Sequence, residues 1–101
     1  MAQFVKVASL SQLAAGTGRA VEANGRSIAL FNVNGKVYAT DNACLHQGGP
    51  IGEGMLEEEV VTCPWHMWQY NVRTGESLED SMLKVETYPV RVSGDDIEVE
   101  I

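Results

Sequence analysis

Both cysteines and both histidines of this chain fall inside one stretch, as Cys44-Leu45-His46 and, sixteen residues further on, Cys63-Pro64-Trp65-His66. Every thiolate and imidazole that the protein owns is therefore committed to two short arms, and each arm carries one of each kind. A fold that serves this pattern must bring the two arms together as loops at one place. Soft thiolates and borderline imidazoles in a set of four are a transition-metal donor set. A disulfide between Cys44 and Cys63 is the competing use of the sulfurs, but without a secretory context a cysteine pair more often binds metal or does redox work.

Two metals compete for the four donors. Mononuclear zinc accepts two cysteines and two histidines, yet its usual pattern sets two cysteines in one arm and two histidines in the other. A two-iron, two-sulfide cluster with two cysteines on one iron and two histidines on the other requires each arm to reach both irons. Mixed arms suit that second arrangement directly.

The framework around the arms reads as all-β. Period-two alternation recurs along the chain, and no stretch carries a sustained helical apolar face. The clearest hairpin runs from Ser27 to Asn32, through Asn34-Gly35, and back from Lys36 to Thr40; Asn-Gly accepts the positive φ angles that a type I′ turn demands. A second hairpin closes the chain, with a strand over Tyr88–Val92, a turn at Ser93–Asp96, and a strand over Ile97–Ile101 whose apolar residues alternate with glutamates. Pro89 has no N–H to donate to a ladder, which places its strand at a sheet edge or makes Pro89 its start. The segment Ser9–Leu13 predicts at most one or two helical turns, with Ser9 as a cap.

Between the hairpins, residues 42–80 change character. Gly48, Gly49, Pro50, Gly52 and Gly54 crowd one part, while Pro64 and Gly75 punctuate another, so loops dominate the reading there. The run Glu57-Glu58-Glu59 predicts a solvated turn ahead of a strand at Val60-Val61-Thr62. With 101 residues the chain is read as a single domain, a β framework holding a loop-rich insert over about 42–80.

Charge narrows the partners. Seven Lys and Arg stand against 14 Asp and Glu, a formal net charge of −7, which disfavours nucleic acid and anionic membranes. A basic protein surface is compatible, as is the plainer role of keeping a small protein soluble and monomeric. The N-terminus shows no basic stretch leading into an apolar run, and no apolar run approaches membrane-spanning length, so a cytoplasmic chain is expected.

With these residues in view, the chain resembles Rieske iron-sulfur proteins, whose signature is C-x-H, about sixteen residues, then C-x-x-H. Further stretches carry the resemblance. His46-Gln47-Gly48 resembles the first cluster loop, Cys63-Pro64 the second, Tyr70-Asn71-Val72-Arg73-Thr74-Gly75 the aromatic strand with its Thr-Gly turn, and Tyr88-Pro89-Val90 with Gly94-Asp95 the closing hairpin. The chain departs from the pattern at Met67, where glycine is most common, and at Asn71, a frequent aspartate. It also lacks the membrane anchor and the two additional cysteines of the respiratory branch, and so is similar to the soluble ferredoxins.

The resemblance implies a Rieske-type antiparallel β-sandwich or barrel with a two-loop cluster-binding subdomain and one [2Fe-2S] cluster. Cys44 and Cys63 would hold the inner iron, and His46 and His66 the outer iron nearer solvent. It implies a one-electron carrier without catalytic residues, which takes electrons from a flavin-containing reductase and passes them to a terminal oxygenase, often an aromatic-ring-hydroxylating dioxygenase. Ligating histidines imply a potential that falls at alkaline pH. Trp68 stands where such proteins place a serine hydroxyl, and a lost donor to sulfur, together with acidic surroundings, favours a potential toward the low end of the family range.

Several neighbours keep two readings at this stage. Tyr70 is either a hydroxyl donor to a ligand cysteine or an ordinary core aromatic. Leu45 and Trp65 either pack under the cluster or form an exposed docking rim, and Met67 and Trp68 share that ambiguity. Gly48, Gly49 and Gly54 supply positive φ angles or close backbone approach, and Pro64 stiffens its loop. Two other functions compete with the carrier: the small subunit of an assimilatory nitrite reductase, which shares the fold but often lacks the ligands, and an interaction module in which zinc is purely structural.

Overall fold

The protein is described here from a computed structural model that covers residues 3–44, 49–65, 67–80 and 82–101. Its strands are β1 (Phe4–Ser9), β2 (Gly18–Ala23), β3 (Arg26–Val33), β4 (Lys36–Asp41), β5 (Met55–Glu57), β6 (Val60–Thr62), β7 (Gln69–Asn71), β8 (Thr87–Tyr88), β9 (Val90–Ser93) and β10 (Asp96–Glu100). They form three antiparallel sheets in the orders β1-β10-β9, β2-β3-β4-β8 and β5-β6-β7. Single 3₁₀ turns at Leu10–Gln12 and Ile51–Glu53 are the helical elements among the described residues, and the first falls within the segment expected to make one or two turns.

Strand β3 explains the layering. Ile28, Ala29, Leu30 and Phe31 are all fully buried, an uninterrupted apolar run of the kind that marks a strand covered on both faces. Ile28 and Leu30 face one core with Leu13, Ile97 and Val99. Ala29 and Phe31 face a second core with Ile51, Val61, Tyr70 and both cysteines. The four-stranded sheet is thus the middle layer, with the terminal sheet packed on one side and the small β5-β6-β7 sheet on the other. Each large aliphatic or aromatic side chain so buried contributes about 1.5–3 kcal/mol.

The expected hairpins form in register. Val33 pairs with Lys36 across Asn34-Gly35, whose φ angles are +52° and +94°, as a type I′ turn requires. Ser93 pairs with Asp96 across Gly94-Asp95. Pro89 does more than mark an edge: it divides the expected Tyr88–Val92 strand in two, with β8 ending the middle sheet and β9 ending the terminal one. The carbonyl of Pro89 still accepts the N–H of Glu100 at 3.0 Å.

The insert is more ordered than its glycines and prolines suggest. It holds the whole β5-β6-β7 sheet, with Glu58 at φ +55° in the β5–β6 turn and Glu57 pairing with Val60 across it. These strands are only three residues long, too short for alternation to announce them.

Candidate metal centre

The middle sheet and the small sheet each deliver one cysteine. Cys44 follows the end of β4 in the middle sheet, and Cys63 follows the end of β6 in the small sheet. The Cys44 N–H donates to the carbonyl of Gly49 at 2.8 Å, and the Cys63 N–H donates to the carbonyl of Trp68 at 2.6 Å. Both loops are therefore closed at the same five-residue offset from their cysteine. In sequence, His46 lies inside the first closed loop and His66 inside the second. Both histidines lie outside the described residues, as do Leu45 and Gly48.

The base of the first loop is pinned by Asn42. Its side-chain carbonyl accepts the Gly52 N–H at 2.7 Å, its amide group reaches Ser27 Oγ at 3.1 Å, and its backbone carbonyl accepts the Ile51 N–H at 2.9 Å. Asn42 went unremarked in the sequence, although an asparagine heading a Gly/Pro-rich loop is a side chain suited to tying off backbone groups. The second loop is tied at its base by Gln69, whose side chain donates to Thr62 Oγ1 at 3.2 Å.

The two sulfurs meet in the second core. Cys44 is 3% exposed and Cys63 is 0% exposed, and both belong to the same core cluster. Burial pushes the Cys63 thiol pKa up, and Cys44 raises it further, while the backbone N–H of Trp65 hydrogen-bonds to Cys63 and opposes the rise. A buried thiol raised in this way is a poor thiolate unless a cation compensates it, which a metal does. On the other sulfur, the Tyr70 hydroxyl lies 3.2 Å from Cys44 Sγ. Tyr70 is thus both of the things its position allowed, a fully buried core aromatic and a hydroxyl at a cysteine.

Glycine gives the sulfurs room by close approach, with Gly49 and Gly54 both outside the positive-φ region. A Cβ on Gly49 would sit 2.9 Å from Cys63 Sγ and 2.9 Å from Trp65 Cγ, and one on Gly54 only 2.0 Å from the Thr62 carbonyl oxygen. Trp65 lies against Gly49 and is 49% exposed. Trp68 packs against the second core, whereas Met67 is 65% exposed.

Both departures at the loop have a physical reading. Met67 has φ +62°, the left-handed region that glycine adopts freely and that costs other residues about 1–2 kcal/mol. The glycine preference at this position is therefore a backbone requirement, which Met67 meets under strain. At Asn71 the side-chain oxygen accepts the N–H groups of Arg73 at 2.9 Å and Thr74 at 3.2 Å. An aspartate would accept the same two bonds, so the exchange leaves the turn intact.

Two buried thiols on separate loops, a hydroxyl and a backbone amide aimed at sulfur, and a glycine cleared of side chain beside it fit an iron-sulfur centre. Comparison with known proteins agrees. Residues 3–100 match the Rieske-like [2Fe-2S] domain family. The ferredoxin component of the naphthalene 1,2-dioxygenase/salicylate 5-hydroxylase systems of Ralstonia sp is 37% identical over 90 residues, covering 88% of this chain and 86% of that protein. The ferredoxin of carbazole 1,9a-dioxygenase from Nocardioides aromaticivorans IC177 superposes with a TM-score of 0.88 at 32% identity, covering 96% of each chain. A chain in the complex of reduced oxygenase and oxidised ferredoxin in carbazole 1,9a-dioxygenase gives a TM-score of 0.86 at 30% identity, covering 95% of this chain and 91% of that one. On its fold, its paired cysteine loops and these matches, the chain belongs to the Rieske-like [2Fe-2S] domain family.

Proposed function

We propose that Cys44, His46, Cys63 and His66 hold the cluster, the cysteines on the inner iron and the histidines on the outer one, and that the chain ferries electrons from a flavin-containing reductase to a terminal oxygenase. The chain itself is a one-electron carrier with a Rieske [2Fe-2S] cluster, not a catalyst. The cluster supplies a single redox step, and the protein holds it, tunes it and presents it. In this reading residues 1–101 act as one domain, residues 42–80 are its cluster-binding insert, and the carrier works as a cytoplasmic monomer. No helix among the described residues is long and apolar enough to cross a membrane.

The terminal oxygenase is the partner that the relatives best support, since the carbazole dioxygenase ferredoxin has been captured with its oxygenase. An aromatic-ring-hydroxylating dioxygenase is the class favoured by the naphthalene relative. The reductase follows from the need to refill a carrier that gives away one electron at a time.

The observation that carries the ligand assignment is the matched closure of the two loops around buried, adjoining sulfurs. The test is electron paramagnetic resonance on the oxidised and dithionite-reduced protein, with iron and zinc quantified on the same sample. Two irons per chain, a silent oxidised state and a rhombic reduced signal of low average g are expected. His46→Cys and His66→Cys should each move that signal toward the higher average g of all-cysteine clusters. Stoichiometric zinc without a signal would withdraw the carrier reading.

A further inference from the structure

Met67 holds its side chain outward from a left-handed backbone, φ +62°, and no core contact repays it, since the side chain is 65% exposed. A strained residue that packs nothing points to a use at the surface. The surface in question is an apolar groove of about 190 Å3 whose lining includes Met67, Met55, Pro64 and Cys63. Met55, on β5, is 77% exposed. Two exposed thioethers therefore border a groove that leads to Cys63, and flexible, polarisable methionines suit a surface that must adapt to another protein.

The fringe of this groove is anionic. Glu53 lines it, and a second concavity of about 440 Å3, which shares Met55 and Thr62 with the groove, is bordered by Glu57, Glu58 and Leu78, the last 53% exposed. No lysine or arginine among the described residues lines either hollow. The ion pairs among the described residues are Lys6 with Asp96, Arg73 with Glu59 and Arg91 with Glu98, so Glu53, Glu57 and Glu58 carry uncompensated charge. An apolar floor with an uncompensated acidic border is complementary to a protruding apolar side chain framed by lysines or arginines.

We infer that the Met55–Met67 groove is a docking site for a redox partner with a basic surface, which seats an apolar side chain between the two methionines beside Cys63. The inference rests on the electron-carrier reading and deepens it. The acidic border steers encounter, and the methionines provide the dry contact that short-range electron transfer requires.

The test uses the cluster-loaded, reduced protein in stopped flow against two oxidants: mitochondrial ferricytochrome c, a basic haem protein, and ferricyanide, a small anion that needs no groove. In each case one electron leaves the cluster and reduces one ferric centre. For Glu57→Gln/Glu58→Gln the rate with cytochrome c at low salt should fall about five-fold, and the difference should vanish at high salt. Met67→Gly and Met55→Ser should slow cytochrome c at both salt concentrations and keep the wild-type rate with ferricyanide, whereas the charge variant, which repels this anion less, should not slow it at either salt concentration; all variants keep the wild-type visible spectrum. Met67→Gly is compatible with its backbone, so a slower rate cannot be assigned to misfolding.

Wild-type rates for the methionine variants would overturn the groove, even where the charge variants respond. Failure of the wild-type protein to bind iron or to reduce either oxidant would strike the carrier reading instead. The two failures are therefore distinguishable.

Discussion

The Tyr70 hydroxyl lies 3.2 Å from Cys44 Sγ, with the ring fully buried beside Phe31, Ile51 and Val61 in the same core as both cysteines. Packing fixes where the hydroxyl points. To a thiolate at position 44 the hydroxyl is the donor, and a donor stabilises the reduced, more negative cluster more than the oxidised one. Tyr70→Phe should therefore lower the reduction potential. If the bond differs by about 1–2 kcal/mol between the two states, the drop is about 40–90 mV. Protein-film voltammetry reads it directly, and an unchanged potential would remove the hydroxyl from the tuning of the cluster.

Two glycines make a paired test of how tightly the loops close. A methyl on Gly54 would drive into the Thr62 carbonyl at 2.0 Å, and both groups are backbone, so the strand leading to Cys63 must move. Gly54→Ala should cost about 1–3 kcal/mol and reduce iron content. At Gly49 the added methyl meets Cys63 Sγ and the half-exposed Trp65 side chain at 2.9 Å; the indole has room to shift and the buried sulfur does not. Gly49→Ala should keep the native circular dichroism spectrum and lose cluster. Full iron occupancy in both variants, measured after reconstitution, would show that the loops have slack.

How much of this was legible depends on the range of each signal. Asn34-Gly35 announced its hairpin because a type I′ turn is a local demand on two residues. Asn24-Gly25 carries the same signal, with φ +49° and +76°, and joins β2 to β3, yet the flanking Gly18–Ala23 segment is too weakly apolar for its alternation to stand out. The Cys/His spacing was legible because ligand chemistry restricts residue types. The β5-β6-β7 sheet was legible only in pieces, Val60–Thr62 from its residues and the strand at Tyr70 through the family resemblance, while Met55–Glu57 was missed, because three-residue strands hold together through partners elsewhere in the chain. The division of one expected strand at Pro89 is likewise a tertiary outcome: its two halves pair with β4 and β10, which lie in different layers. Tyr70 shows the limit most plainly, since its hydroxyl reaches a residue 26 positions away.

Met67 gives a stability prediction separate from docking. Glycine removes the left-handed penalty of about 1–2 kcal/mol and adds back about 0.5–1 kcal/mol of chain entropy. The exposed side chain contributes little burial to lose. Met67→Gly should be neutral to stabilising by up to about 1.5 kcal/mol, which raises Tm by up to roughly 6–12 °C for a domain of this size. A marked fall in Tm, followed by calorimetry on the cluster-loaded protein, would mean that the thioether packs in a way its exposure does not reveal.

Tyr88 ties the end of the middle sheet to Asp41, three residues before Cys44. Its hydroxyl donates to Asp41 Oδ1 at 2.5 Å and accepts from Arg26 Nη1 at 3.3 Å. Burial, then the bond to Asp41, raises the Tyr88 phenol above its ordinary value, and Arg26 only partly opposes this. The folded chain thus holds this proton more tightly than the unfolded chain, in which the phenol titrates near pH 10. Below that pH the contribution to stability is fully present; as pH rises through the unfolded and then the folded pKa, the unfolded state loses its proton first and stability falls. Tyr88→Phe should lower stability near neutral pH, because Asp41 loses its donor, and flatten the alkaline limb of the stability profile. Urea unfolding at pH 8 and at pH 10.5 distinguishes the outcomes: equal alkaline losses in wild type and variant would assign the limb to other groups.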